Sequence, residues 1–197
     1  MTQARPILYR PENAPADFPV WREINPSEIP RIRFVYAGIY AAGYLTVTFA
    51  APKTGKSLLG LAEGIDAATG RGFLTGREAP PQNVLYFNAE DDQDVLNART
   101  LAVLQEQGIA QSEIVDRLYP VSGVSEDRSL VLIKGEKNEI QEPAFTFLAD
   151  FFRRKDITLA IFDPLQDLSQ SPETNEAFRA LGARIRRLAN ETGAAIG

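Results

Sequence analysis

The chain has 197 residues, 44% of them hydrophobic and 24% charged, with a formal net charge of -5 at neutral pH. That is the balance of a globular domain with a real core, and it carries no overall basic field to hold nucleic acid or an acidic surface. Cysteine and histidine are both absent, which excludes disulfides, thiolate nucleophiles, imidazole metal ligands and Ser-His-Asp chemistry.

No apolar run reaches the ~20 residues of a membrane span and no signal peptide opens the chain, so the expected setting is cytoplasmic, with no membrane partner. Residues 1 to about 30 carry Pro6, Pro11, Pro15, Pro19, Pro26 and Pro30, too many for a regular helix or a central strand. They are expected to form an extended arm, with Phe18, Val20, Trp21 and Ile24 docking on the chain's own body or on a neighbouring subunit. Residues 31–197 are expected to form the core domain.

From residue 40 onward, strand and helix patterns alternate. "YLTVTFA" (44–50) is β-branched and aromatic and predicts a buried strand. Tyr36, Tyr40 and Tyr44 stand at or before its start and suit core or interface packing. "KSLLGLAEGIDAAT" follows, with Leu58, Leu61, Ala62 and Ile65 at helical spacing and Gly70 as its stop. "NVLYFNA" (83–89) predicts a second strand, residues 92–107 a helix ended by Gly108, and "RLYPV" (117–121) a third strand.

Residues 129–141 read as a hairpin turning at Lys134-Gly135. Residues 142–154 read as a helix with Pro143 in its first turn and an apolar stripe of Phe145, Leu148, Ala149 and Phe152. "ITLAIF" (157–162) is a further apolar strand. Residues 174–193 form a long helix with Phe178, Leu181, Ile185 and Leu188 on one face, and "AAIG" follows. Arg179, Arg184, Arg186 and Arg187 fan over the opposite side of that helix, as a solvated face or a contact for subunits or phosphates. Alternating strands and helices, with apolar strands that do not alternate, predict an α/β fold with a mainly parallel sheet flanked by helices.

Three segments carry the chemistry. "AAPKTGKS" (50–57) lies between a strand and a helix, where a phosphate-binding loop must lie. Backbone N–H groups of Ala51, Pro52, Lys53, Thr54 and Gly55 (proline excepted, which has none) would wrap phosphates at a helix N-terminus. Lys56 would reach the β- and γ-phosphates, and Ser57 would ligate Mg²⁺. Ala50 replaces the first glycine of the usual pattern, which is harmless where the backbone has a negative φ and costs ~1–2 kcal/mol where it does not. Asp163 closes "LAIFD", where a carboxylate would hold the metal or its water. Glu90, after the second strand, would polarise an attacking water as general base. Taken singly, Asp163 also reads as a polar cap before Pro164, and Glu90-Asp91 as an acidic first helical turn. Together with the loop, and in this order, they read as one ATP site with Mg²⁺.

The segments "VTFAAPKTGKSLLGLAEGIDAATG", "NVLYFNAED" and "LAIFDPLQDLSQSPETN" resemble RecA-like P-loop ATPases of the RepA replicative-helicase type, from about residue 30 to the end. The resemblance rests on Glu90-Asp91 directly after the strand, on Arg99 in the helix that follows, and on Asp163-Pro164 with Glu173-Thr174-Asn175 beyond. It implies that Lys56 and Ser57 hold phosphate and magnesium, that Glu90 is the catalytic glutamate and Asp163 the Walker B aspartate, and that Arg99 lies near the nucleotide. It also implies a homo-oligomer, usually a hexameric ring, and DNA unwinding or a related replication role, with single-stranded DNA as a partner. Members of the family continue after "GAAIG" with the rest of a strand that runs between the Walker A and Walker B strands and ends in paired histidines. The expectation is therefore a fragment whose sheet lacks its C-terminal strands. Two other functions suit the same loop: a P-loop kinase of a small molecule, and a non-hydrolysing nucleotide-binding regulatory module.

Overall fold

The computed structural model describes residues 23–29, 31–51, 53–124, 129–172 and 174–197. Of the apolar anchors expected in the arm, Phe18, Val20 and Trp21, together with Pro52 and Glu173, lie outside the described residues; Ile24 is described and exposed. The chain divides between Arg31 and Ile32. In the first part, Pro26–Glu28 forms one 3-10 turn, capped by Asn25, whose side-chain oxygen accepts from Ser27 N at 3.1 Å.

The second part begins with a small antiparallel pair, β1 (Phe34–Tyr36) and β2 (Tyr40–Ala41). Then follow α1 (Lys56–Thr69), β3 (Val84–Asn88), α2 (Gln93–Glu106) and β4 (Leu118–Ser122). The short strands β5 (Ile133–Lys134) and β6 (Glu139–Ile140) form the hairpin expected around Lys134-Gly135. After it come α3 (Glu142–Arg154), β7 (Leu159–Asp163), β8 (Ser169–Gln170), α4 (Asn175–Thr192) and β9 (Ala195–Ile196).

The central sheet is parallel throughout, in the order β4-β3-β7-β9. Side chains alternate across it, as the pleat requires. Val84, Tyr86, Leu159 and Ile161 face one way, onto Leu61, Ile65 and Ala68 of α1 and Leu96 and Leu104 of α2. Leu85, Phe87, Ala160 and Phe162 face the other way, onto Phe145, Leu148 and Phe152 of α3 and Leu181, Ile185 and Leu188 of α4. Both faces are covered, which is why these strands are apolar without interruption. α1 ends where expected. Gly70 takes φ 69°, and a Cβ there would stand 2.1 Å from the Ala79 carbonyl oxygen, so only glycine serves.

The stretch 44–50 departs from its expected form. It is not a buried strand. Leu45 makes a lone parallel bridge to Ile196, supported by Thr46 N to Ile196 O at 2.8 Å and Ile196 N to Tyr44 O at 3.0 Å. Beyond Thr46 the backbone leaves the ladder, and Phe49 is 84% exposed. β9 lies between β7 and this stretch and pairs with it at Leu45 and Thr46. β-branched composition yields a strand only where a neighbour pairs with it.

Three smaller departures follow from helix phase. Leu58 and Phe178 lie outside the buried stripes of α1 and α4 and are exposed, whereas Gly64, Ala68 and Ala177 lie within them. Tyr36 and Tyr40 are core residues as expected, while Tyr44 is exposed. Arg184 is not on a solvated face. Its guanidinium lies over the Phe145 ring at 4.4 Å and grips Glu142 through two nitrogens at 2.9–3.0 Å, joining α4 to the start of α3.

Candidate functional site

The expected phosphate loop closes on itself and leads into α1. Thr54 Oγ1 donates to Ala51 O at 2.8 Å, Lys53 takes φ 65° and Gly55 takes φ 88°. Ala50 does not take a positive φ, so the missing glycine imposes no backbone strain. α1 has no side-chain cap and no acidic residue in its first turn. Its leading N–H groups therefore face outward with the positive end of the helix dipole behind them, a setting that favours an anion.

β7 brings the carboxylate. Asp163 is its last residue, 5% exposed, and stands with Oδ1 4.0 Å from Lys56 Nζ. The other carboxylate oxygen accepts from Tyr86 Oη at 2.9 Å, and that hydroxyl also lies 3.0 Å from the carbonyl oxygen of Ser57. Burial, and then the charge of Asp163, hold the Tyr86 phenol well above its ordinary range, so it stays a donor. Lys56, Ser57 and Asp163 thus converge at the C-terminal end of the parallel sheet, where ligands of open α/β sheets bind.

β3 brings the second acid by a different route. Asn88 is opposite Asp163 in register and is 0% exposed. Its amide oxygen accepts from the main-chain N–H of Glu90 at 3.0 Å and of Asp91 at 2.6 Å. Two N–H donors demand an oxygen there, so the amide nitrogen is forced to the other side. That nitrogen is buried on the side of the Tyr86 hydroxyl and makes no hydrogen bond of good geometry. Ala89 N donates to Asp163 O at 2.9 Å, which carries the segment one step further along β7. Glu90 leaves this anchored turn with its side chain exposed.

A model of the family described as an AAA domain matches residues 10–196. The chain belongs to the AAA domain family. It is thereby one of the AAA-type P-loop ATPases, a nucleotide-binding class, and the parallel sheet flanked by helices is consistent with it. No curated protein matches the chain.

In this AAA domain Arg99, about two turns into α2, is engaged with Asp91, which lies just beyond the end of β3. Asp92 caps α2, accepting from Val95 N at 2.8 Å. Lys56 and Asp163 line one cleft with Glu63 and Tyr40, whose hydroxyl donates to Glu63 at 2.7 Å. Burial raises the Glu63 carboxyl, and the Tyr40 hydrogen bond partly opposes the rise. Asp66, the other buried acid of α1, is fully spoken for: Tyr36 Oη, Phe73 N and Leu74 N all donate to it. It fastens the 70–76 loop and belongs to the scaffold.

Tyr86 and Asn88, which touch Asp163 and anchor the Glu90 turn, are residues that the motif reading passed over. A signal existed. Within "VLYFNA" they alternate with Leu85 and Phe87, so they share the face that turns toward the loop helix. The residues present fit a nucleotide with its metal: an uncapped helix start, the Lys56 ammonium, the buried Asp163 carboxylate and the buried Asn88 amide stand at one sheet end. Among the described residues, no helix is long and apolar enough to cross a membrane.

Proposed function

We propose that this AAA domain hydrolyses MgATP and acts as a RecA-like oligomeric motor of the RepA replicative-helicase type. The observation that carries this reading is the meeting of Lys56, Ser57 and Asp163 at one sheet end, next to a buried amide donor that makes no hydrogen bond of good geometry. A buried donor left open costs about 1–3 kcal/mol unless something fills it. A phosphate oxygen or the attacking water would fill it.

In this reading the N–H groups of residues 53–57 and the Lys56 ammonium bind the β- and γ-phosphates. Ser57 Oγ and the Asp163 carboxylate would hold Mg²⁺, which when bound neutralises charge between those phosphates. Glu90, fixed at its backbone by Asn88, accepts a proton from the water that attacks the γ-phosphorus. Arg99, drawn from Asp91, would come to the nucleotide. A ring of subunits and a single-stranded DNA substrate belong to the same proposal. They are supported by the sequence resemblance and by exposed Arg179, Arg186 and Arg187 on α4.

Phosphate release is the test, measured with ATP and Mg²⁺ and with no acceptor. Release by the wild-type chain, lost in Glu90→Gln while binding of a fluorescent ATP analogue persists, is the expected result. Binding without release, in wild type as in the variant, would replace the motor with a regulatory module. Release that appears only with an added hydroxyl acceptor would make the domain a kinase.

A further inference from the structure

Tyr86 does something that neither the fold nor the proposed function requires. It is 1% exposed, and its ring lies against α1 at Gly60, where a Cβ would stand 3.5 Å from Tyr86 Cε2. Its hydroxyl has a single hydrogen and two acceptors within reach. One is the carbonyl oxygen of Ser57, in the first turn of α1, and the other is Asp163 Oδ2, at the end of β7. These acceptors belong to the two residues that would hold the metal, and they are far apart in the chain. Among the described residues, no other side-chain hydrogen bond joins Ser57's turn to Asp163; the Lys56 ammonium approaches it only to 4.0 Å.

We propose that Tyr86 is a positioning residue for the metal: its hydroxyl sets the spacing between Ser57 and Asp163, so that both meet one divalent cation without rearrangement. The inference rests on the proposed function. A ring would have sufficed to fill the space beside Gly60, and phenylalanine would have avoided burying a hydroxyl. The oxygen is explained by what it ties together. The one hydrogen is shared between the Ser57 carbonyl and Asp163 Oδ2, so the hydroxyl holds both acceptors at about 3 Å from one point. Groups that orient metal ligands in this way typically contribute roughly 10–100-fold to metal affinity or activity.

The test compares affinity for a fluorescent ATP analogue in Mg²⁺ and in EDTA, for wild type and Tyr86→Phe, with ligand-free melting curves beside them. The substitution keeps the ring and removes one atom. The expected result is a drop of about tenfold in the Mg²⁺-to-EDTA affinity ratio, with EDTA affinity within about twofold of wild type. In a Ser57→Ala background, the same substitution is expected to change the ratio much less, because the ligand it positions is gone. An unchanged ratio, equal losses in both arms, or full additivity with Ser57→Ala overturns the inference and leaves the ATPase reading standing. Failure of the wild-type chain to bind the analogue overturns both.

Discussion

The two sides of the nucleotide cleft are built to different standards. On the carboxylate side, β3 and β7 are paired along their whole length, buried on both faces, and locked at their ends by Asn88, Ala89 and Tyr86. On the loop side, residues 47–51 run exposed and unpaired after a single bridge at Leu45. Asp163 is therefore positioned by paired strands, and Glu90 by the turn anchored on Asn88. The loop is joined to the body through its own turn and α1.

That contrast can be broken at several points. Lys56→Ala removes the charge on which the loop's function depends. Analogue binding should weaken by about 2–4 kcal/mol, a factor of roughly 30 to 1,000, with the melting temperature nearly unchanged. A large loss of stability instead would mean the loop side is structural after all. Ile161→Ala strikes the paired side, where β7 meets α1, and should cost about 2–5 kcal/mol in urea unfolding.

Asn88→Ala leaves the Glu90 and Asp91 N–H groups without their acceptor. It should cost about 1–3 kcal/mol and speed hydrogen exchange at those two amides. Unaltered exchange there would sever Glu90 from its anchor. Glu142→Ala tests an exposed contact away from both sides. Arg184 holds the Glu142 carboxyl below its ordinary range, so the pair contributes at pH values above the usual glutamate value of 4.5 and fades as pH falls below it. Because Glu142 is exposed, screening limits the effect to about 1 kcal/mol or less, seen in melts at pH 7 and absent near pH 3. Phe49→Ser should change stability by no more than about 0.5 kcal/mol, because nothing packs on a ring so exposed. A larger loss would show that residues 47–51 are covered in solution.

Helices were legible because their signals are local. The stripe Phe145, Leu148, Ala149 and Phe152 is buried as read, and Gly70 and Gly193 stop their helices. The strands β3, β4 and β7 were legible because each is a short apolar run bounded by turns. Leu58 and Phe178 were misassigned for a simple reason: an apolar residue at helical spacing is buried only if the helix is rotated to bring it inward, and rotation is set by the neighbours. Arg184 read as part of a solvated face or of an outward contact, because nothing in the sequence of α4 shows that Glu142 and Phe145 lie opposite it. Lys56, Ser57 and Asp163 were legible as motif residues. Tyr86 and Asn88 were not, since a tyrosine and an asparagine in a strand carry no motif and matter only through what they touch.

The amino-acid sequence by itself determined where helices begin and end, that the sheet would be parallel, and which residues would stand at the mouth of a phosphate loop. These follow from torsional preference, capping and apolar period, all of which act over a few residues. Only the tertiary structure decided that Asn88 would lie opposite Asp163, that one hydroxyl would join Ser57 to Asp163, and that 44–50 would leave the sheet after Leu45. Each of these depends on a partner distant in the chain, and a strand has no stable identity until that partner is beside it.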